Sequence, residues 1–253
     1  MLLLRTVKTL SISLGLYRAA RWFSWRLRPA LHRAYEDDIR FYRSLLPTGA
    51  LCFDVGANIG DKSETLLKAG AKVVAFEPQS EALPELIARC GREKNWMHVA
   101  TALGSRSAIT TLYVNRGQSS LAGPGRKVIS NYHVPIVTLD AAIQAFGKPY
   151  YCKIDVEGWE LEVLKGLTQA IPLISIEFHL NDRDIAKTLL CLDRLLEFGP
   201  SQVNITPAEC SSFYWQEWMR LEQFLKWFPA DLKYTLPGDS YGDIFIKQVA
   251  SVR

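Results

Sequence analysis

Residues 53–60 read Phe53-Asp54-Val55-Gly56-Ala57-Asn58-Ile59-Gly60, a short apolar run that gives way to an acid, two glycines and an amide just where a helical pattern begins. Apolar pieces at 51–55 and 72–76 flank a helix expected from Lys62 to Ala69, which Gly70 closes at a position suited to a left-handed cap. Outward from this unit, strands are expected at about 96–103, 150–156, 172–178, 202–206 and 242–247. Between them lie helical patterns: residues 81–90 after Ser80, with Pro84 tolerated in the first turn; a short helix from Thr138 to Gly147; and a stripe of Ile185, Leu189, Leu192 and Leu196. Strands alternating with helices predict an α/β fold with a mostly parallel sheet and helices on its faces. Residues 109–137, with two β-like pieces around a glycine-rich loop, interrupt the alternation and read as an insertion near the site.

The chain has 253 residues, 48% hydrophobic and 22% charged, enough for a full core without covalent staples. Its five cysteines form no C-x-x-C pair, which argues for reduced thiols in a cytoplasmic protein and against a disulfide scaffold or a zinc site. Residues 1–35 hold seven Lys/Arg and no acid, so the remainder of this +4 chain carries −3. Arg5 and Lys8 break the opening apolar run, which is therefore too short to span a bilayer, and no basic leader marks a cleaved signal. The expected division is a basic amphipathic helical extension, 1–45, and a main domain, 46–253. Two readings compete for residues 1–35: a helical cap packing Leu16, Ala20, Phe23 and Leu27 on the domain, or a basic helix making peripheral contact with an anionic membrane or an acidic partner.

Glycines at a strand-to-helix turn let the backbone approach a ligand closely, and helix N-terminal amides favour a carboxylate there, while Asp54 can receive an ammonium. The turn thus suits an amino-acid moiety. Glu77, in Ala75-Phe76-Glu77-Pro78 at the end of the second strand, is positioned to bind both hydroxyls of a ribose. The turn is G-x-x-x-G and lacks the G-x-G-x-x-G of nicotinamide binders, which disfavours a dehydrogenase as the rival reading. Further along, strand alternation sets Lys153, Asp155 and Glu157 on one face, and the next strand alternates Ser175, Glu177 and His179 with apolar residues. Charges at the end of buried parallel strands point to a site at the carboxyl edge of the sheet. His179 is the best base by its ordinary pKa, and Asp155 and Glu177 are the alternatives. These carboxylates and the histidine could hold a divalent cation, but no fixed ligand spacing supports one and no metal is expected. The aromatic stretch from Phe213 to Phe228 reads mainly as core or lid packing, with one or two rings left for an acceptor pocket.

In these motifs the sequence resembles the FkbM family of methyltransferases, from about Leu51 to Leu180: F-D-V-G-A-N-I-G at 53–60, A-F-E-P at 75–78, A-L-G at 102–104, S-S-L at 119–121, V-T-L-D at 137–140, K-I-D-V-E-G-W-E at 153–160 and I-E-F-H at 176–179. The resemblance implies a Rossmann-like class I methyltransferase fold with seven strands, six parallel and the last antiparallel, and methyl transfer from S-adenosylmethionine to oxygen. It implies that Asp54, Gly56, Asn58 and Gly60 surround the methionine part, that Glu77, followed by Pro78, holds the ribose, that Ala102 borders adenine, and that Asp155 lies beside the reactive end. The expected partner is a small-molecule or glycan acceptor, a sugar or secondary-metabolite hydroxyl, with no nucleic acid. A nicotinamide oxidoreductase and a non-catalytic membrane- or partner-binding module remain the alternatives.

Overall fold

The computed structural model describes residues 9–115, 119–121, 128–208, 210–228 and 241–249. Two helices come first, α1 (Tyr17–Leu27) and α2 (Pro29–Leu45), followed by β1 (Leu51–Val55), α3 (Asp61–Lys68), β2 (Lys72–Phe76), α4 (Leu83–Cys90) and β3 (Trp96–Val99). The stretch expected as one strand over 96–103 breaks after β3, and its end, β4 (Ala102–Leu103), joins a second sheet with the strands of the insertion, β5 (Ala108–Asn115), β6 (Ser119–Ser120) and β7 (Val128–Val137). Then come α5 (Leu139–Phe146), β8 (Tyr151–Ile154), α6 (Glu160–Lys165), β9 (Leu173–His179), α7 (Asp182–Leu196), β10 (Ser201–Pro207), β11 (Met219–Arg220), α8 (Leu221–Trp227) and β12 (Tyr241–Gln248).

The central sheet runs β11-β10-β12-β9-β8-β1-β2-β3. Strands β3, β2, β1, β8 and β9 are mutually parallel, while β12 lies antiparallel between β9 and β10. The expected seven strands become eight because β11, only two residues long, pairs antiparallel on the outer edge of β10. A pair of residues carries no alternation to read, so this edge was invisible in the sequence. The insertion forms its own four-stranded sheet, β4-β7-β5-β6, whose small core of Leu112, Val114, Val134 and Ile136 includes Ala102. Local signals behave as their chemistry dictates: Thr138 Oγ1 accepts from the Ala141 amide at 3.1 Å, and Gly70 takes φ +102 after α3.

One sheet face packs α5, α6, α7 and α8 through Phe53, Val55, Ile154, Ile176 and Phe178; the other packs α2 and α3 through Tyr42, Leu46, Cys52, Tyr151 and Phe245. Helix α2 thus shares the core of the main sheet. Helix α1 corrects the cap reading. Its buried side is Tyr17, whose hydroxyl donates to Glu85 at 3.0 Å, and Arg21, which pairs with Glu64 and lies 4.4 Å over the Trp25 ring. Leu16, Phe23 and Leu27, expected to face the domain, are 55%, 60% and 68% exposed. Two buried acids on α3 and α4 draw the polar side of the helix inward, because a buried carboxylate without a partner costs more than leaving a few apolar groups in water. Among the described residues no helix is long and apolar enough to cross a membrane.

Candidate active site

The sharp turn after β1 is built by positive φ at Gly56 (+85), Asn58 (+47) and Gly60 (+86). Only glycine fits at 56, since a Cβ there would stand 1.8 Å from the Asp155 carbonyl oxygen. The turn and the end of β8 therefore close on each other, leaving a crevice between them and the tip of β2. Gly56, Asn58, Glu77, Pro78, Ala102 and Asp155 all line it, with Thr101, Leu121 and Glu157. Including its mouth it encloses about 690 Å³, within the range of small-ligand sites.

Glu77 is fixed at this crevice by two backbone donors: the Asn58 amide to Oε2 and the Gln79 amide to Oε1, both at 2.7 Å. Burial pushes its pKa up against the pull of those amides. His98 holds the Glu77 carbonyl oxygen at 2.9 Å. Each carboxyl oxygen keeps a lone pair for a hydroxyl donor from a ligand. Deeper in, Thr101 Oγ1 is buried without a hydrogen-bond partner among the described residues, a cost the fold bears unless a ligand satisfies it. A glycine-only backbone approach, a fixed carboxylate and an orphaned hydroxyl in one crevice fit a nucleoside bearing a polar tail.

Two residues predicted for this crevice are not among its lining. Asp54 sits on the opposite face of β1 from Val55, fully buried, and accepts from Ser63 Oγ at 2.6 Å. Burial raises its pKa, with Lys153 and Ser63 working the other way. Gly60 turns into α3 instead, where a Cβ would meet Leu86 Cδ1 at 2.6 Å, so its smallness serves helix packing.

The strand registers assemble the charged edge. Lys153 pairs with Asp54 and Ser175, and Asp243 with Glu177, on the face that α2 and α3 cover. Lys153 Nζ donates to Asp155 Oδ2 at 2.5 Å. Burial opposes its charge, but Asp155, Asp243 and Asp54 hold the ammonium protonated. Asp155 in turn, despite burial, stays below the ordinary carboxyl pKa because of Lys153, the adjacent Glu177 and His179. Asp155 and Glu177 also line a second, wider cleft bounded by α2, the segment after β10 and the start of β12. Asp155 is thus shared by the two cavities.

His179 lines neither cavity. Its Nε2 lies 3.2 Å from Glu177 Oε2 and its ring stacks on Tyr241, with 37% of the side chain exposed. The hydrogen bond to Glu177 raises its pKa, burial notwithstanding. Sequence reasoning passed over Thr101 and Asp243, which carry no motif, and set Lys153 on the charged strand face without giving it a role. It also missed that Glu157, at φ +54, is turned off the strand face into the nucleoside-sized crevice, where burial and the carboxylates of Asp155, Glu177 and Glu160 push it up to about 7. The aromatic stretch supplies no ring to either cavity: Phe224 and Phe228 are core, and Phe213 packs on Phe41 and Phe245.

The profile of the methyltransferase FkbM domain matches residues 54–227. The chain belongs to the FkbM methyltransferase family. Hexuronic acid methyltransferase AglP of Haloferax volcanii is 29% identical over 177 residues, covering 65% of this chain and 71% of that one. Among solved structures, precorrin-6y C5,15-methyltransferase from Geobacter metallireducens aligns with a TM-score of 0.46 at 11% identity, covering 85% and 86% of the two chains. A TehB-like methyltransferase from Corynebacterium glutamicum aligns at 0.42 and 11%, covering 93% and 99%. The chain is therefore an α/β methyltransferase whose sheet and family agree.

Proposed function

We propose that this FkbM methyltransferase transfers a methyl group from S-adenosylmethionine to a sugar hydroxyl. The observation that carries the reading is the junction at Asp155: one residue borders both a crevice suited to a nucleoside and a cleft open to an acceptor. Glu77 takes the ribose hydroxyls, the otherwise unpartnered Thr101 hydroxyl meets a polar edge of the base, and the Gly56–Asn58 turn and Pro78 frame the tail. Gly60 and Asp54 shape the turn from behind. When bound, the donor supplies an electrophilic methyl on a sulfonium. Asp155, kept ionised by Lys153, balances positive charge and accepts the hydrogen bond of the incoming hydroxyl. Its proton passes to the Asp155–Glu177 pair and out through His179, which reaches solvent. Holding the oxygen in line contributes roughly 7–11 kcal/mol, and a positioned base about 10²–10⁴-fold. The sugar acceptor is supported by the relative named for a hexuronic acid, itself a sugar.

For residues 1–35 we propose peripheral attachment to an anionic membrane surface. The outward Leu14, Leu16, Trp22, Phe23 and Leu27 beside Arg18, Arg26 and Arg28 form an apolar strip edged with cations. Transfer of a labelled methyl group from S-adenosylmethionine to a methyl glycoside, with the product resistant to mild alkali as an ether is, tests the reaction. An alkali-labile product, or none from folded protein that binds donor, would refute oxygen-ether transfer to this class.

A further inference from the structure

The donor crevice has a wall that neither the turn after β1 nor the tip of β2 supplies. Leu112 of β5 and Leu121, just after β6, line it from the insertion, beside Thr101, Ala102 and Leu103. Both leucines belong to the insertion's apolar core: Leu112 is buried with Val114, Val134 and Ile136, and Leu121 packs against that cluster. An apolar wall and the Glu77 carboxylate in one crevice divide it as a nucleoside is divided, hydrocarbon for the flat ring and an acceptor for the sugar hydroxyls. Wall and carboxylate stand on separate elements, and Tyr132 of β7 ties them together. Its ring packs on the insertion core, while its hydroxyl accepts from the Ser80 amide at 2.9 Å and donates to Glu81 Oε2 at 3.0 Å. Ser80 Oγ donates to the same carboxylate oxygen at 3.2 Å. The Gln79 amide, next along this loop, is one of the two donors that orient Glu77. One phenol oxygen thus uses both of its hydrogen-bonding roles on the loop that sets the ribose carboxylate, with partners 52 and 51 residues away in the chain. These bonds lie at the surface, where water competes for both groups, so they add little to overall stability and act chiefly on where the loop sits.

We infer that Tyr132 is a positioning residue for the methyl donor: it holds the wall of Leu112 and Leu121 at a fixed spacing from Glu77, so that base and ribose meet surfaces already in place. This rests on the S-adenosylmethionine reading and deepens it. Walls set before the ligand arrives remove the entropy of ordering them from the binding step. Phenylalanine at 132 would keep the ring in the apolar core and delete both hydrogen bonds, which frees wall and loop to move apart. None of Tyr132, Ser80, Glu81, Leu112 and Leu121 borders the acceptor cleft, so the effect belongs to the donor.

The test is isothermal titration of the full chain with S-adenosylhomocysteine, on wild type, Tyr132→Phe, Leu121→Ala, Glu81→Gln, Glu81→Ala and the double variant of Tyr132→Phe with Glu81→Ala, with melting temperatures alongside. Tyr132→Phe should weaken binding at least roughly fivefold and Leu121→Ala at least roughly threefold, while Tm stays within about 3 °C. Glu81→Gln keeps an oxygen that accepts from the phenol and should bind nearly as wild type does. Glu81→Ala, at an exposed position, should lose part of the affinity, and adding Tyr132→Phe to it should weaken binding by a smaller factor than Tyr132→Phe does alone. Unchanged affinity in Tyr132→Phe or in Leu121→Ala, a loss in Glu81→Gln as large as in Glu81→Ala, or losses at 81 and 132 that simply multiply would each overturn the inference while wild-type binding leaves the donor reading standing. Folded wild type that binds no S-adenosylhomocysteine would overturn both together.

Discussion

Replacing Glu157 with Gln makes the protein more stable at mildly alkaline pH and leaves it unchanged in acid. The Glu157 carboxyl is pushed from 4.5 to about 7, first by burial and then by the carboxylates of Asp155, Glu177 and Glu160. Below about pH 4.5 the group is protonated in folded and unfolded chains alike and costs nothing. Between 4.5 and about 7 the unfolded chain releases its proton while the folded one keeps it, so stability falls as pH rises; above about 7 the loss is constant. At about 1.4 kcal/mol per pH unit the ceiling is about 3 kcal/mol, and partial solvent contact at the crevice lip reduces this to roughly 1–2 kcal/mol. For a chain of this size that is a Tm difference of about 2–8 °C. Urea and thermal unfolding of wild type and Glu157→Gln at about pH 4.5 and about pH 8 measure it, with the variant gaining only at the higher pH. A stability difference that is the same at both pH values, or of opposite sign at pH 8, would refute the burial and like-charge argument.

Gly56→Ala should remove S-adenosylhomocysteine binding altogether in a titration, because its Cβ would stand 1.8 Å from the Asp155 carbonyl oxygen and the turn must open; retained affinity would show the turn is not part of the site. Asp155→Asn should lower kcat by about 10²–10⁴-fold with a smaller change in KM, checked by steady-state transfer assays alongside circular dichroism. His179→Gln should flatten the acid limb of the rate profile, since wild-type activity is expected to rise with pH as this raised-pKa imidazole loses its proton. The paired substitutions Phe23→Asp and Leu27→Asp, both on the exposed side of α1, should release the protein from anionic vesicles in co-sedimentation while leaving the melting temperature within about 1 °C.

The β1 turn, the acid after β2 and the charged ends of β8 and β9 were legible because each is a local signal: backbone freedom at Gly56, alternation that ends in charge, and an acid where a strand stops. Most strand and helix positions followed from periodicity for the same reason, but the run at 96–103 splits between two sheets and the strand expected to reach 156 ends at Ile154. What escaped the sequence depends on partners far along the chain. The orientation of α1 is decided by Glu64 and Glu85, some 43 and 68 residues from Arg21 and Tyr17. Asp54 belongs to the turn motif but takes the other strand face, where Ser63 and Lys153 receive it. Asp243 and Asp38 become acceptor-cleft residues only once β12 has inserted beside β9 and α2 has crossed the sheet edge. Thr101 shows its importance only through an unmet hydrogen bond.

The most direct measurement is isothermal titration of the full chain with S-adenosylhomocysteine, on wild type and on Glu77→Ala. Both oxygens of Glu77 are already oriented by backbone amides. Losing this carboxylate's bonds to a ribose should weaken binding roughly 10–100-fold from a single site per chain. No binding by folded wild type, or equal affinity in the Glu77→Ala variant, would contradict a nucleoside crevice between β1 and β2.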